Sequence, residues 1–282
     1  MQYLLLLGAV LSISVQDVMR KQYDLKAKTP NVFLFTAFSA VTALVFFAAR
    51  TGFRLQFLPE LIPYAALLAL TYAGALIGAY LSVRYGSVAI SALTNASSLV
   101  IPALYGVFAL GEKMGPVGIC GVVCLVASLL LVHWPSSSVK LSLPCVLSLL
   151  LLFFSNGVFG TVQKVQQLNF DGGYISEVMV MALGMAAVVL FAAALFVGKG
   201  EKGQTRPALI HGVPNGVANG LSNLLIMLLT GLIPNTVLYP SVSAGGIVMG
   251  FVVGTLLYRE RPVFRQILGY ILGAAAAVLL NL

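Results

Sequence analysis

The chain has 282 residues, of which 60% are hydrophobic and 9% charged, and it carries a formal net charge of +8. A globular domain has about 25% charged residues, so this composition, with a mean hydropathy of +1.00, excludes a soluble protein. The basic residues sit at the ends of apolar runs, where they snorkel and set topology, which gives no reason to expect a nucleic-acid partner.

Crossing a bilayer takes roughly 20 apolar residues, and runs of that order follow one another at 2–19, 31–49, 61–83, 87–110, 116–134, 144–165, 175–197, 208–230, 236–258 and 265–282. The expected fold is all-α and integral to the membrane, with ten transmembrane helices. The first run lacks a basic stretch before it and a small-x-small cleavage site, so it is read as a mature helix rather than a secretory signal. Near its end Asp17 precedes Arg20 and Lys21, a spacing that suits an interfacial ion pair or, alternatively, a proton- or cation-binding acid.

The third run holds Tyr72 and Tyr80 with a Gly74/Gly78 packing pair, and the fourth holds Asn95, Ser97 and Ser98 before Pro102. In the fifth, Cys120 and Cys124 are four apart, but no His or acid joins them, so they read as packing residues along with Cys145. Trp134 to Lys140 is a Pro- and Ser-containing linker. Asn156 and Gln163 lie in the sixth run, and Glu177 occupies the first turn of the seventh, where a carboxylate complements the helix dipole or could couple an ion. His133 and His211 fall at run ends without a catalytic partner.

The eighth run carries two stripes. Gly212, Gly216 and Gly220 form one, and Asn215, Asn219 and Asn223 form the other, about 100° around the helix. An unpaired amide in hydrocarbon costs roughly 4–8 kcal/mol. The asparagines must therefore bond neighbouring helices or line a wet cavity, with Asn215 near enough to the run's end to be interfacial. In the ninth run, Tyr239, Ser241 and Ser243 flank Pro240. Candidate substrate-binding residues are thus Tyr72, Asn95, Asn156, Gln163, Asn219, Asn223, Tyr239 and Ser243, with Asp17 and Glu177 as ion-coupling candidates. No metal-ligand cluster and no cofactor is expected.

The two halves are related. A shift of 148 positions carries Glu112 onto Glu260, Gly106 onto Gly254 and Gly121 onto Gly269. Nearer each start, a shift of 144 carries Val18, Arg20 and Gln22 onto Val162, Lys164 and Gln166. Five spans per half make the repeat inverted, with units at 1–135 and 142–282. Loops after odd-numbered spans hold most of the Lys and Arg, which by the positive-inside rule puts both termini outside.

The stretch Gly86 to Ile90, Pro102, Leu110-Gly111-Glu112 and Gly121 to Leu131 resembles the EamA-like branch of the drug/metabolite transporter superfamily. The second half keeps Glu260 and Gly269, but has Tyr258-Arg259 where Leu-Gly is usual and no proline equivalent to Pro102. The resemblance implies two inverted five-helix repeats and alternating access at a site between them. It also implies cytoplasmic termini, opposite to the charge bias. The small four-helix relatives use an acid in the middle of their first helix; Gly8 to Ser14 has none, so cation/proton antiport does not carry over.

The expected function is secondary transport of a small polar metabolite or organic cation by a monomer in the cell membrane, multi-pass. No Gly-x-x-x-x-Gly-Lys-Ser/Thr nucleotide fingerprint is present, so uphill transport would draw on a coupling proton or cation, on a solute gradient or on exchange. An intramembrane lipid-modifying enzyme would need paired aspartates with a metal, a zinc cluster or an activated Ser or Cys, and none stands out. A non-transporting scaffold would not need buried amides.

Overall fold

The computed structural model describes residues 2–98, 100–111, 115–133, 142–197, 203–230 and 235–279, which are helical with short turns and contain no strand. In chain order the helices are α1 (Gln2–Lys26), α2 (Val32–Arg50), α3 (Ile62–Tyr85), α4 (Val88–Ser97), α5 (Val100–Leu110) and α6 (Pro116–His133). They continue with α7 (Leu143–Asn169), α8 (Ile175–Val197), α9 (Thr205–Thr230), α10 (Asn235–Val252) and α11 (Phe264–Leu279). Six stretches are long and apolar enough to span a bilayer, and α6, the end of α10 and α11 are shorter apolar helices. The asparagines and glycines of α9 dilute its hydropathy, and it falls outside both groups.

Local chemistry fixes the helix ends. Asn31 caps α2 by accepting from Leu34 N at 3.1 Å, and Ser87 caps α4 by accepting from Ile90 N at 3.1 Å. Ser142 does the same for α7, whose first turn also holds Pro144. The fourth apolar run, expected as one helix, is broken at Ser98. Pro102 has no N–H for the Ser98 carbonyl, which instead accepts from Ile101 N at 3.1 Å. Past α10 the chain widens into a π-helical stretch, Val253–Leu257.

The exterior is apolar: Phe196 is 86% exposed, Leu195 81% and Leu70 71%. Gln16, Asp17, Arg20, Asn215 and Gln266 are buried instead. An apolar surface around a partly polar interior suits a bundle solvated by lipid. The protein is an integral, multi-pass membrane protein.

Small residues set the closest approaches. A Cβ on Gly78 would meet the Leu152 backbone of α7, and one on Gly216 would meet Ser39 O and Thr42 of α2. Gly273 lies against Leu93 and Ser128, and Gly250 against Ala92. The main packing pairs are α3 on α7, α1 on α9, α6 on α11, α2 on α8 and α9, α3 on α8, and α4 on α10. Lys21 Nζ donates to Val83 O at 3.2 Å, so α1 and α3 end together. Gly86, just past α3, lies against Cys145 at the start of α7, while Asn169 at its end donates to Tyr64 Oη near the start of α3. Hence α7 runs antiparallel to α1 and α3. Of the sequence features singled out above, Glu112 and the Trp134 to Lys140 linker lie outside the described residues, as do the side chains of His133, Tyr239 and Pro240.

Candidate functional site

A hydrogen-bonded polar cluster crosses the bundle between α1, α3 and α9. Tyr72 Oη on α3 donates to Asn219 Oδ1 at 3.1 Å, and Asn219 Nδ2 donates to Gln16 Oε1 on α1 at 3.1 Å. Asn223 Nδ2 donates to the Asn219 carbonyl at 2.8 Å and lies 3.4 Å from its Oδ1. Gln16 Nε2 donates to Ser222 Oγ at 3.3 Å. Arg20 Nη2 donates to Gln16 Oε1 at 3.3 Å, while Nη1 pairs with Asp17 Oδ1 at 2.7 Å. The cluster thus contains one cation and one anion in direct contact, with neutral amides and a phenol around them.

The sequence places Asp17 and Arg20 at a helix end; the structure buries them. Asp17 is 5% exposed, Gln16 5% and Arg20 9%. The pair costs desolvation that its mutual attraction and the Gln16 bond offset only in this geometry, and the Arg20 Nε–H is left buried without a partner. Gln16, Arg20 and Ser222 were not among the sequence-derived site residues. Their signal is a period of four: Ser12, Gln16 and Arg20 form one stripe on α1, as the asparagines do on α9.

The asparagine stripe divides. Asn219 and Asn223 are half-buried in the cluster. Asn215 is not interfacial but fully buried, donating to Ser39 Oγ of α2 at 3.0 Å, and so ties α9 to α2.

A second polar group sits at the break between α4 and α5. Asn156 Nδ2 on α7 donates to Ser98 Oγ at 2.7 Å, and Ser98 Oγ donates to the Asn95 carbonyl at 2.6 Å. Ser243 is buried on α10. Gln163 turns away to Met179 Sδ of α8 at 3.5 Å, and Glu177 is half-buried in the first turn of α8. Of the sequence candidates, then, Tyr72, Asn219 and Asn223 come together with Asp17 nearby, and Asn95 joins Asn156.

The end of the bundle where α1 terminates is tied together by cross-helix contacts. Tyr258 Oη donates to Val18 O at 3.3 Å and accepts from Gln22 Nε2 at 3.4 Å. Glu260 Oε1 accepts from Val88 N at 2.9 Å, and Asp24 Oδ1 accepts from Tyr80 Oη at 3.1 Å and from Arg84 Nε at 3.3 Å.

The whole chain shares its fold with a protein of known crystal structure. That protein is 15% identical, with a TM-score of 0.62 over 99% of this chain and 95% of its own. No curated protein matches the sequence. Members of the family that does match are transporters rather than enzymes. Residues 1–134 match the EamA-like transporter family, a branch of the drug/metabolite transporter superfamily.

Proposed function

We propose that this protein is a secondary transporter that moves a small polar metabolite or organic cation by alternating access. Its substrate would bind around Tyr72, Asn219 and Asn223, between two inverted five-helix repeats at 1–135 and 142–282. The observation that carries the reading is the Gln16–Asn219–Tyr72 connection, a polar cluster spanning both halves inside an apolar bundle. Amides at membrane depth are expensive and mark substrate pathways, and transporter sites sit where repeats meet.

Packing supports the inverted repeat. Under the sequence correspondence α1 matches α7, α3 matches α9 and α2 matches α8, and the contacts follow: α3 on α7 answers α9 on α1, and α2 on α9 answers α8 on α3. The helices α6 and α11 pack on one another, as do α2 and α8, and α4 and α10, as pairs astride a two-fold axis would. Gly111 and Arg259, equivalent under the 148 shift, both adopt left-handed backbone, with φ of 68° and 54°. The antiparallel course of α1 and α7 supports the inversion.

Asp17 is the coupling candidate nearest the site, since it shares Arg20 with Gln16. The cell membrane is the expected location. The test is counterflow: purified protein in liposomes preloaded with amino acids, nucleosides, quaternary amines or polyamines, each assayed for accumulation of its labelled form. Accumulation of one class, lost on Asn219→Leu in a folded protein, supports the reading. Normal counterflow by Asn219→Leu and Asn223→Leu would overturn the site, and no counterflow with any class would overturn transport of these solutes.

A further inference from the structure

One contact between the halves is built differently from helix packing. After the π-helical stretch, Tyr258 N bonds back to Val253 O at 3.3 Å, Arg259 takes a left-handed φ of 54°, and Glu260 N returns to Gly254 O at 2.9 Å. That reversal brings the Glu260 carboxylate over Gly254, where a Cβ would collide with it. Oε1 then accepts from Val88 N in the first turn of α4, at 2.9 Å. The position is the positive end of the α4 dipole, where an anion is stabilised.

We propose that Glu260 is a positioning residue of the transport cycle: a latch that holds the start of α4 in the first half against the second half and keeps the α1 end of the path shut. This rests on the alternating-access reading above. Four features fit a latch better than fixed packing. The bond joins the two halves at one end of the bundle. The same segment places Tyr258 on Val18 and Gln22 of α1, so one short stretch closes on two helices of the first half. Oε2 is buried without a hydrogen-bond partner, so the carboxylate is only half satisfied and the closed state stays within reach of the open one. A non-glycine residue with left-handed backbone at Arg259 adds strain that opening can relieve.

The test uses the full chain in nanodiscs, in a background lacking Cys120, Cys124 and Cys145. Spin labels at the exposed positions Tyr85 and Phe264 report the α1 end, and labels at Phe53 and Leu168 report the opposite end. Glu260→Ala is expected to raise the longer-distance population of the first pair about tenfold, the size of a charged capping contact. Gly254→Ala should do the same by pushing the carboxylate off α4, and it serves if Glu260→Ala does not fold. Glu260→Gln keeps an acceptor for Val88 N–H but loses the charge, so it should shift the first pair less than Glu260→Ala. Unchanged distances at the first pair in Glu260→Ala or Gly254→Ala overturn the latch. If the first pair opens but the second never closes in response, the latch stands and alternating access fails. If wild type exchanges between two states at both ends and neither variant shifts the first pair, alternating access stands and the latch fails.

Discussion

Replacing Asn219 with Leu removes an acceptor and a donor from the buried cluster at once, and the structure says which partner suffers. Gln16 Oε1 loses the Asn219 amide but keeps Arg20 Nη2 at 3.3 Å, and Asn223 keeps the backbone carbonyl at residue 219 at 2.8 Å. Tyr72 Oη, on a residue 6% exposed, loses the Asn219 acceptor at 3.1 Å. Stranding one buried hydroxyl costs about 1–3 kcal/mol, against an average near 0.6 kcal/mol for polar pairs between membrane helices. At about 2–4 °C per kcal/mol for a chain of this size class, Asn219→Leu should lower the midpoint of thermal unfolding in detergent by roughly 2–12 °C. The diagnostic is the double variant: Tyr72→Phe with Asn219→Leu removes both partners and should recover most of the loss, because two missing polar groups strand nothing. If the two substitutions add instead, the Tyr72–Asn219 bond is not what stabilises the cluster and the reasoning fails.

Arg20→Leu should destabilise more, by about 3–5 kcal/mol, since it leaves the Asp17 carboxylate buried and unpaired; Asp17→Asn with Arg20→Leu should regain much of this in the same unfolding assay, and strict additivity would refute the buried pair. Gly216→Ala should cost about 1–3 kcal/mol because its Cβ meets Ser39 O and Thr42, whereas Gly246→Ala, with nothing within 4 Å, should be neutral. The contrast is read from the two unfolding midpoints, and equal effects would contradict the α2–α9 packing. A cysteine at exposed Arg261, in the background without native cysteines, should be shielded from an impermeant thiol reagent in intact cells if the loop charge bias sets the topology. Labelling there would favour the orientation that the family resemblance implies.

Hydropathy made most helices legible, because lipid forces long apolar runs and Ser, Asn, Pro and Gly mark their ends. It read through the break at Ser98, since a run of apolar residues looks alike whether or not Pro102 interrupts its ladder. What it could not give was the neighbour that each polar side chain would meet. Asp17 and Arg20 sit close enough to a run's end to look interfacial; the docking of α9 and α10 on α1, with Tyr258 bonded to Val18, leaves them buried.

The asparagines of α9 show why a stripe is not yet a site. Residues four apart on an α-helix advance by about 40° beyond a full turn, so Asn215 and Asn223 differ by about 80° in direction. Gly212, Gly216 and Gly220 bring α9 against Phe35, Ser39 and Phe46 of α2, and this fixes the rotation of the helix. With that face set, Asn215 falls on the α2 side and bonds Ser39, while Asn219 has turned far enough to reach Tyr72 and Gln16. The glycines therefore act on the candidate site without touching it: they decide which asparagine ties α9 to α2 and which two join the cluster with Tyr72 and Gln16. A bulkier residue at Gly216 that still folded would rotate or displace α9, and its effect on counterflow should exceed its effect on the unfolding midpoint. Equal loss of both would mean that packing alone is at stake.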